Sequence, residues 1–141
     1  LRDELPRLTR LLDKVARVHG RAVPWIVDVK EVFDGLRPEL EAHMEKEETV
    51  VFPMIRALER EEPLPSAPEL GDDPIALMEE EHDVAGAALQ RMRALSGGYT
   101  PPANACGTFR AALEGLARLE ADMHQHVHKE NNILFPRARS L

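Results

Sequence analysis

Apolar residues return every three or four positions along almost the whole chain, and this spacing limits the fold more than any other feature. Steps of three or four place side chains on one face of an α-helix, whereas a strand requires alternation with a period of two. The sequence contains no alternating run of useful length. The stepping divides into four stretches, which cover about residues 1–20, 24–61, 74–97 and 102–137. Four such helices, joined by loops of short to moderate length, predict an all-α fold, an antiparallel up-down four-helix bundle.

Glycine and proline mark the ends and the irregular points of these helices. Gly20 is expected to end the first helix, and an aspartate directly before Pro74 to cap the third, which stops at Gly97. Pro38 and Pro53 lie inside the second helix, where they should kink it or locally widen it. A proline-rich loop is expected over residues 62–73. The buried faces of the second and fourth helices are expected to continue through Val50, Met54 and Ile133.

Length and composition restrict the class of protein. A chain of 141 residues is expected to form one domain, residues 1–141, with a real core. Its net charge of -7 argues against nucleic acid or an anionic membrane surface as a partner. No apolar run approaches the roughly 18 residues of a membrane span, and no signal peptide is evident. The single cysteine suits a cytoplasmic location. Because Leu1 opens inside a helical pattern without a methionine, we expect the chain to be a fragment of a longer protein.

Polar side chains occupy positions on the apolar stripe where core residues belong. They are His19, His43, Glu47, His82, His126 and Glu130. No lysine or arginine shares the stripe and could pair with the two glutamates. A buried carboxylate without a partner costs several kcal/mol or takes up a proton. Metal ions between the carboxylates would supply the missing positive charge.

Four of these residues belong to a sequence that occurs twice, H-x-x-K-E-x-x-x-x-F-P, at residues 43–53 and 126–136. Histidine and glutamate four residues apart point from one face of a helix. Two such pairs and His82 exceed the four ligands of a tetrahedral zinc site. They fit two ions bridged by the two glutamates, and mixed nitrogen and oxygen ligands with open positions suit iron. The predicted metal ligands are therefore His43, Glu47, His82, His126 and Glu130.

The other polar candidates are expected to lie outside this site. His19 ends the first helix, roughly 25 Å from His43 by helix rise, and is interpreted as a helix-end residue or as part of a second site. Glu81, beside His82, could contact a ligand or be exposed. Lys46 and Lys129 fall off the stripe and are expected to be solvated. His124 and His128 are also off the stripe and are expected to face neighbouring helices or water.

The sequence resembles the hemerythrin-like proteins, and among them the iron–sulfur cluster repair di-iron proteins, over essentially its whole length. The segments that carry the resemblance include residues 43–48, 51–53, 81–83 and 130–138. It implies a non-haem di-iron centre with an oxo or hydroxo bridge, bridging roles for Glu47 and Glu130, and histidine ligands at His43, His82 and His126. One more family histidine would fall three residues before Leu1, and a cysteine-bearing N-terminal segment of the family has no counterpart here. Cys106 matches a family cysteine near the start of the fourth helix, where we expect a small packed residue.

The resemblance also implies a function in the response to nitrosative and oxidative stress. The chain would assist the repair of damaged iron–sulfur clusters, by donating iron or by nitric oxide chemistry, with iron–sulfur proteins as clients and O2 or NO as small ligands. It would be an iron-donating protein more than a turnover enzyme. The alternative is a hemerythrin-like module that binds or senses O2 or NO reversibly. A metal-free bundle used only for association is a third interpretation.

Overall fold

Helices account for nearly all regular structure in the computed structural model, which describes residues 2–141. The four long helices are α1 (Glu4–His19), α2 (Trp25–Lys46), α4 (Pro74–Leu95) and α5 (Gly107–Lys129). The short elements are α3 (Phe52–Glu59), a 3₁₀ turn (Pro68–Leu70) and α6 (Phe135–Arg139). Leu1, which the sequence pattern places in the first helix, lies outside the described residues.

The four long helices form the predicted antiparallel bundle. α1 packs against α2 and α5, α2 also packs against α4, and α4 contacts α5. Contacts between α1 and α2 run in opposite directions along the two helices, from Thr9 with Arg37 to Asp13 with Lys30. The fold prediction is therefore confirmed.

Two apolar clusters fill the bundle and leave a polar layer between them. The larger cluster joins all four long helices, and it includes Leu40 and Met123 at the edge next to the polar layer. The smaller cluster consists of Val51, Ile55, Ile75, Met78, Phe135 and Ala138. Along α2 and α5 the chain passes from one cluster to the other through the two histidine–glutamate pairs. The polar layer is therefore enclosed by apolar side chains on both sides.

Two π-helical turns continue α2 and α5, at Glu47–Val51 and Glu130–Leu134. A Phe-Pro pair follows each turn directly, and the N–H of its phenylalanine donates to the carbonyl of the glutamate five residues earlier. A proline has no N–H to donate and its ring collides with the carbonyl four residues back, so a regular α-turn is disfavoured there. The expected widening at Pro53 is confirmed. Pro38 lies inside α2 without interrupting it.

The extra residue in each π turn moves the buried face by one position. Val51 and Ile55 are buried, whereas Val50 and Met54 are only partly so. Ile133 is 58% exposed. The prediction that Val50 and Ile133 belong to the core was wrong, because it assumed α-helical spacing across the wider turns. Met54 is partly buried and packs against the smaller cluster.

The helix boundaries agree with the sequence except at α5. Asp73 caps α4 by accepting a hydrogen bond from the Ala76 N–H at 3.1 Å, as expected. The fourth long helix begins at Gly107 and not near residue 102, since Cys106 before it has an extended backbone. No helix described in residues 2–141 is long and apolar enough to cross a membrane.

Candidate metal centre

The bundle brings all five predicted ligand residues into the polar layer. Each side chain offers one nitrogen or oxygen atom, and these atoms lie within 4.8 Å of one another. All are buried except the half-buried His126. The cluster consists of His43, Glu47, His82, His126 and Glu130.

Helix geometry explains how the two His–Glu pairs meet. His43 and His126 stand in the last turns of α2 and α5, and Glu47 and Glu130 are the first residues of the π turns that follow. Each pair still has α-helical spacing, so its two side chains point from one face. The register changes only beyond the glutamates, where the smaller apolar cluster begins.

Imidazole nitrogens surround the two carboxylates. His43 Nε2 contacts Glu47, and His126 Nε2 lies 3.2 Å from Glu47 Oε1. His126 Nε2 is also 3.0 Å from Glu130 Oε2, and His82 Nε2 is 2.9 Å from Glu130 Oε1. The two glutamates are therefore the acidic centre of the cluster, with the histidines around them.

Polar partners outside the cluster hold two of the rings by their other nitrogen. His43 Nδ1 lies 2.8 Å from Glu81 Oε1, and a carboxylate can only accept, so Nδ1 carries the proton. His82 Nδ1 likewise donates to Asn131 Oδ1 at 2.8 Å. When the Nε2 atoms carry no proton, their lone pairs point into the cluster, as in metal-ligating histidines with outer hydrogen-bond partners.

Three carboxylate oxygens in the cluster have no hydrogen-bond partner within the described part of the chain. They are Glu47 Oε2, Glu130 Oε1 and Glu130 Oε2. The nearby imidazole nitrogens are close enough to Glu130, but their directions do not suit hydrogen bonding. Buried acceptors without donors, beside inward lone pairs, are costly unless a cation lies among them. The donor set therefore fits a metal site.

Protons on the histidines balance the negative charge of the carboxylates when no metal cation is bound. The pKa of His126 is raised to about 10, because Glu130 and then Glu47 stabilise its imidazolium form. Burial favours a higher pKa for Glu47, but hydrogen bonds from His126 and His43 outweigh it and hold the pKa well below its usual range. Burial by itself would lower the pKa of His43, but its contacts with Glu47 and Glu81 outweigh burial and raise it. The cluster attracts positive charge.

Two residues that support the cluster did not emerge from the sequence pattern. Asn131 has no spacing signal beyond its place directly after Glu130. Glu81, whose role the sequence left open, contacts His43 from another helix and also binds Lys46 Nζ at 2.5 Å. The expectation that Lys46 is solvated was wrong, since this ion pair holds it partly buried.

The remaining candidates lie apart from the cluster, as expected. His19 Nε2 is 3.2 Å from Cys106 Sγ, and its ring packs near Phe109. Cys106 is exposed, so the expectation of a packed small residue was wrong. His124 and His128 are exposed on α5, as is Lys129.

A cavity of about 280 Å³ lies between α2 and α4 and reaches the cluster. His43 and His82 form part of its wall, together with Leu40, Lys46 and Glu81. A small molecule can therefore approach the two inward-facing rings from this side.

Comparison with known proteins assigns the family. Residues 1–138 match the hemerythrin HHE cation binding domain. The chain is similar to three proteins named iron-sulfur cluster repair protein YtfE. It is 37% identical over 137 residues to that of Yersinia pseudotuberculosis and 38% identical over 137 residues to that of Musicola paradisiaca. It is 40% identical over 142 residues to that of Edwardsiella ictaluri. Each match covers 97% of this chain and 58% of the relative, so the chain spans less than two thirds of their length. The resemblance seen in the sequence is confirmed: the chain belongs to the hemerythrin HHE cation-binding domain family.

Proposed function

We propose that residues 1–141 form one di-iron domain, in which the five clustered side chains bind two non-haem irons. Glu47 and Glu130 would bridge the ions, aided by an oxo or hydroxo group, and His43, His82 and His126 would be terminal ligands. The observation that carries this proposal is the set of three buried carboxylate oxygens without hydrogen-bond donors among the described residues, next to inward imidazole lone pairs. Mixed nitrogen and oxygen ligands of this kind suit iron.

The protein's own residues prepare the site. Glu81 and Asn131 hold the protons of His43 and His82 on the outer nitrogens, so that the inner nitrogens stay available. The apolar clusters on the two sides of the polar layer restrict the access of water to the five side chains. When bound, iron would supply redox chemistry and an open position for O2 or NO.

We further propose that the domain assists the repair of damaged iron–sulfur clusters in client proteins, by donating iron more than by catalytic turnover. The names of the relatives support this function, although they are longer proteins. The charge of the site supports it too, because the cluster offers two carboxylates against the four positive charges of two ferrous ions. An incompletely neutralised pair of ions is easier to release. The single cysteine supports placing this activity in the cytoplasm.

Iron transfer to an apo iron–sulfur protein tests this function. The iron-loaded chain is mixed with a purified apo acceptor and sulfide under anaerobic conditions, and cluster formation is followed by absorbance. We expect acceptor cluster to appear as iron leaves the chain, and a Glu47→Ala, Glu130→Ala double variant to donate none. If the loaded chain keeps its iron while the acceptor stays empty, the donor function is refuted.

Reversible binding or sensing of O2 or NO is the second candidate, and the cavity between α2 and α4 favours it. Its volume of about 280 Å³ far exceeds that of a diatomic molecule, and its wall includes two of the ligand histidines. Stopped-flow spectra of the reduced, loaded chain with O2 separate the two functions. A stable adduct that disappears when O2 is removed supports binding, whereas rapid irreversible oxidation excludes it.

A further inference from the structure

Two exposed histidines on α5 have no part in the proposed di-iron centre. His124 and His128 are four residues apart on an uninterrupted α-helix, so their side chains leave from one face, one turn apart. Both line a groove of about 330 Å³ between α4 and α5, and the wall of that groove also includes His82. The groove shares His82, Ala85 and Met123 with the cavity between α2 and α4, but the wall of that cavity contains neither exposed histidine.

Histidines at this helical spacing can bind one metal ion together, because two imidazoles on one face can reach the same point. Asn132 continues the row by a further turn and also lines the groove. Its side-chain nitrogen is 3.1 Å from His128 Nδ1. If the side-chain amide of Asn132 is flipped by 180°, its oxygen accepts a hydrogen bond from the Nδ1–H of His128. The free lone pair of the His128 ring is then on Nε2, where it can bind a metal. The row thus provides two ligands and a partner that orients one of them.

The lining of the groove favours one class of cation. Its wall, within residues 2–141, contains no lysine, arginine, aspartate or glutamate. No ammonium group there repels a cation, and no carboxylate favours Mg²⁺ or Ca²⁺, whereas imidazole suits zinc, copper, nickel and iron. On the α4 side the groove is lined by Gly86, and a Cβ added at that residue would meet no atom of the described residues 2–141 within 4 Å. The groove is open opposite the histidines.

We propose that His124 and His128 form a second, surface site for one divalent transition-metal ion, separate from the buried cluster. Because the groove also touches His82, an ion held there lies beside the proposed centre. The surface site does not depend on the buried cluster binding iron.

Calorimetric titration with Zn²⁺ tests this site. The full chain is first loaded with iron, so that Zn²⁺ finds the buried ligands occupied, and the titration is repeated with the cation-free chain. We expect His124→Gln and His128→Gln each to weaken the surface site at least tenfold, and the double variant to abolish it. The matched control is a His19→Gln, Cys106→Ser variant, which removes the half-buried imidazole at the end of α1 and the exposed thiol beside it. This variant should leave the surface site unchanged. Far-ultraviolet circular dichroism checks that every variant is folded.

Three outcomes would overturn the proposal. One is a double variant that binds Zn²⁺ as the parent chain does, and another is a chain that shows no surface site. The third is loss of the site in the His19→Gln, Cys106→Ser control, which would assign the zinc to that pair. The remaining outcome is a chain that binds no iron but has a zinc site that only the His124 and His128 variants remove. This outcome would refute the di-iron function and support the surface site.

Discussion

His43 and His82 face each other across the buried cluster with their Nε2 atoms 3.1 Å apart. At most one proton could lie between two such nitrogens, and each ring already holds a proton on its outer nitrogen. The two rings differ in the partner that holds them, since His43 has the carboxylate of Glu81 and His82 has the neutral amide of Asn131. A carboxylate makes its histidine a stronger electron donor than an amide does. The two predicted ligands are therefore not equivalent.

Replacing Asn131 by leucine should weaken iron binding by about 10- to 100-fold, the range found when outer partners of metal ligands are removed. The change leaves His82 Nδ1 without its acceptor, so neither the proton position nor the ring orientation is fixed. Iron retention is measured against a competing chelator of known affinity. Asn132→Leu is the matched control, because the neighbouring Asn132 is exposed and contacts His128 instead. Equal iron retention in the two variants would contradict an orienting role for Asn131.

Removing either central carboxylate should separate stability from metal binding. Glu130→Ala deletes two buried oxygens that lack hydrogen-bond donors among residues 2–141, and this gain offsets the lost stabilisation of the His126 imidazolium, so the cation-free chain should lose little stability. The same change should cost at least one of two irons, and Glu47→Ala should do so too. Thermal unfolding of the cation-free proteins and elemental analysis of the loaded ones provide the two measurements.

His124→Ala is the control for these glutamate variants, since His124 is exposed and lies outside the buried cluster. It should keep the full iron content of the buried site. Full iron in both glutamate variants would refute their bridging role.

Phe135, from the second Phe-Pro pair, supports the site through packing. Its ring stacks on His82 with centroids 6.0 Å apart and an interplanar angle of 8°, and it is 1% exposed. Phe135→Leu should lower the free energy of unfolding by about 1–2 kcal/mol and also weaken iron retention, because the His82 ring loses its support. Denaturant unfolding and chelator competition measure the two effects.

Phe109→Leu is the matched control, since Phe109 is equally buried but belongs to the larger apolar cluster, near His19. It should lose similar stability and keep its iron. If both variants lose iron alike, the effect of Phe135 is a general loss of stability and not support of His82.

The sequence was sufficient to predict the bundle and the cluster because both follow from helical spacing. His43 and Glu47 lie on the stripe at α-helical separation, and that separation survives in the structure. The prediction failed immediately beyond Glu47, where Val50 was expected in the core and Val51 is found there. A one-residue change of helical pitch cannot be seen in an apolar pattern, although the proline after it is a local sign.

Contacts between helices were the second part that the sequence could not supply. Glu81 reaches His43 on another helix, and Lys46 joins it there. Neither pairing has a fixed sequence distance, so no periodicity reveals it. Arg93 and Glu120 form a further example, because Glu120 is buried at the stripe's edge and its partner comes from α4. Such pairs become visible only when the register of two helices is known.

Tyr99 provides a pH-dependent test of the packing at the other end of the bundle. It is 7% exposed, and burial, followed by the negative charge of Glu120, raises its pKa to about 12 despite the opposing charge of Arg93. Because Tyr99 is the chain's single tyrosine, phenolate absorbance near 295 nm reports on it alone. The folded chain should titrate near 12, and the chain in concentrated urea near the ordinary value of about 10.

The raised pKa of Tyr99 also determines how stability changes in alkali. Above a pH of about 10 the unfolded chain loses the phenol proton while the folded chain keeps it. Ionisation therefore stabilises the unfolded state and not the folded state. The free energy of unfolding should therefore fall as the pH rises from about 10 to about 12, and a Tyr99→Phe variant should lack this part of the decline. Urea unfolding at pH 8, 10 and 11 measures it for both proteins. Parallel declines in the two proteins would show that Tyr99 titrates normally and is not held neutral by its surroundings.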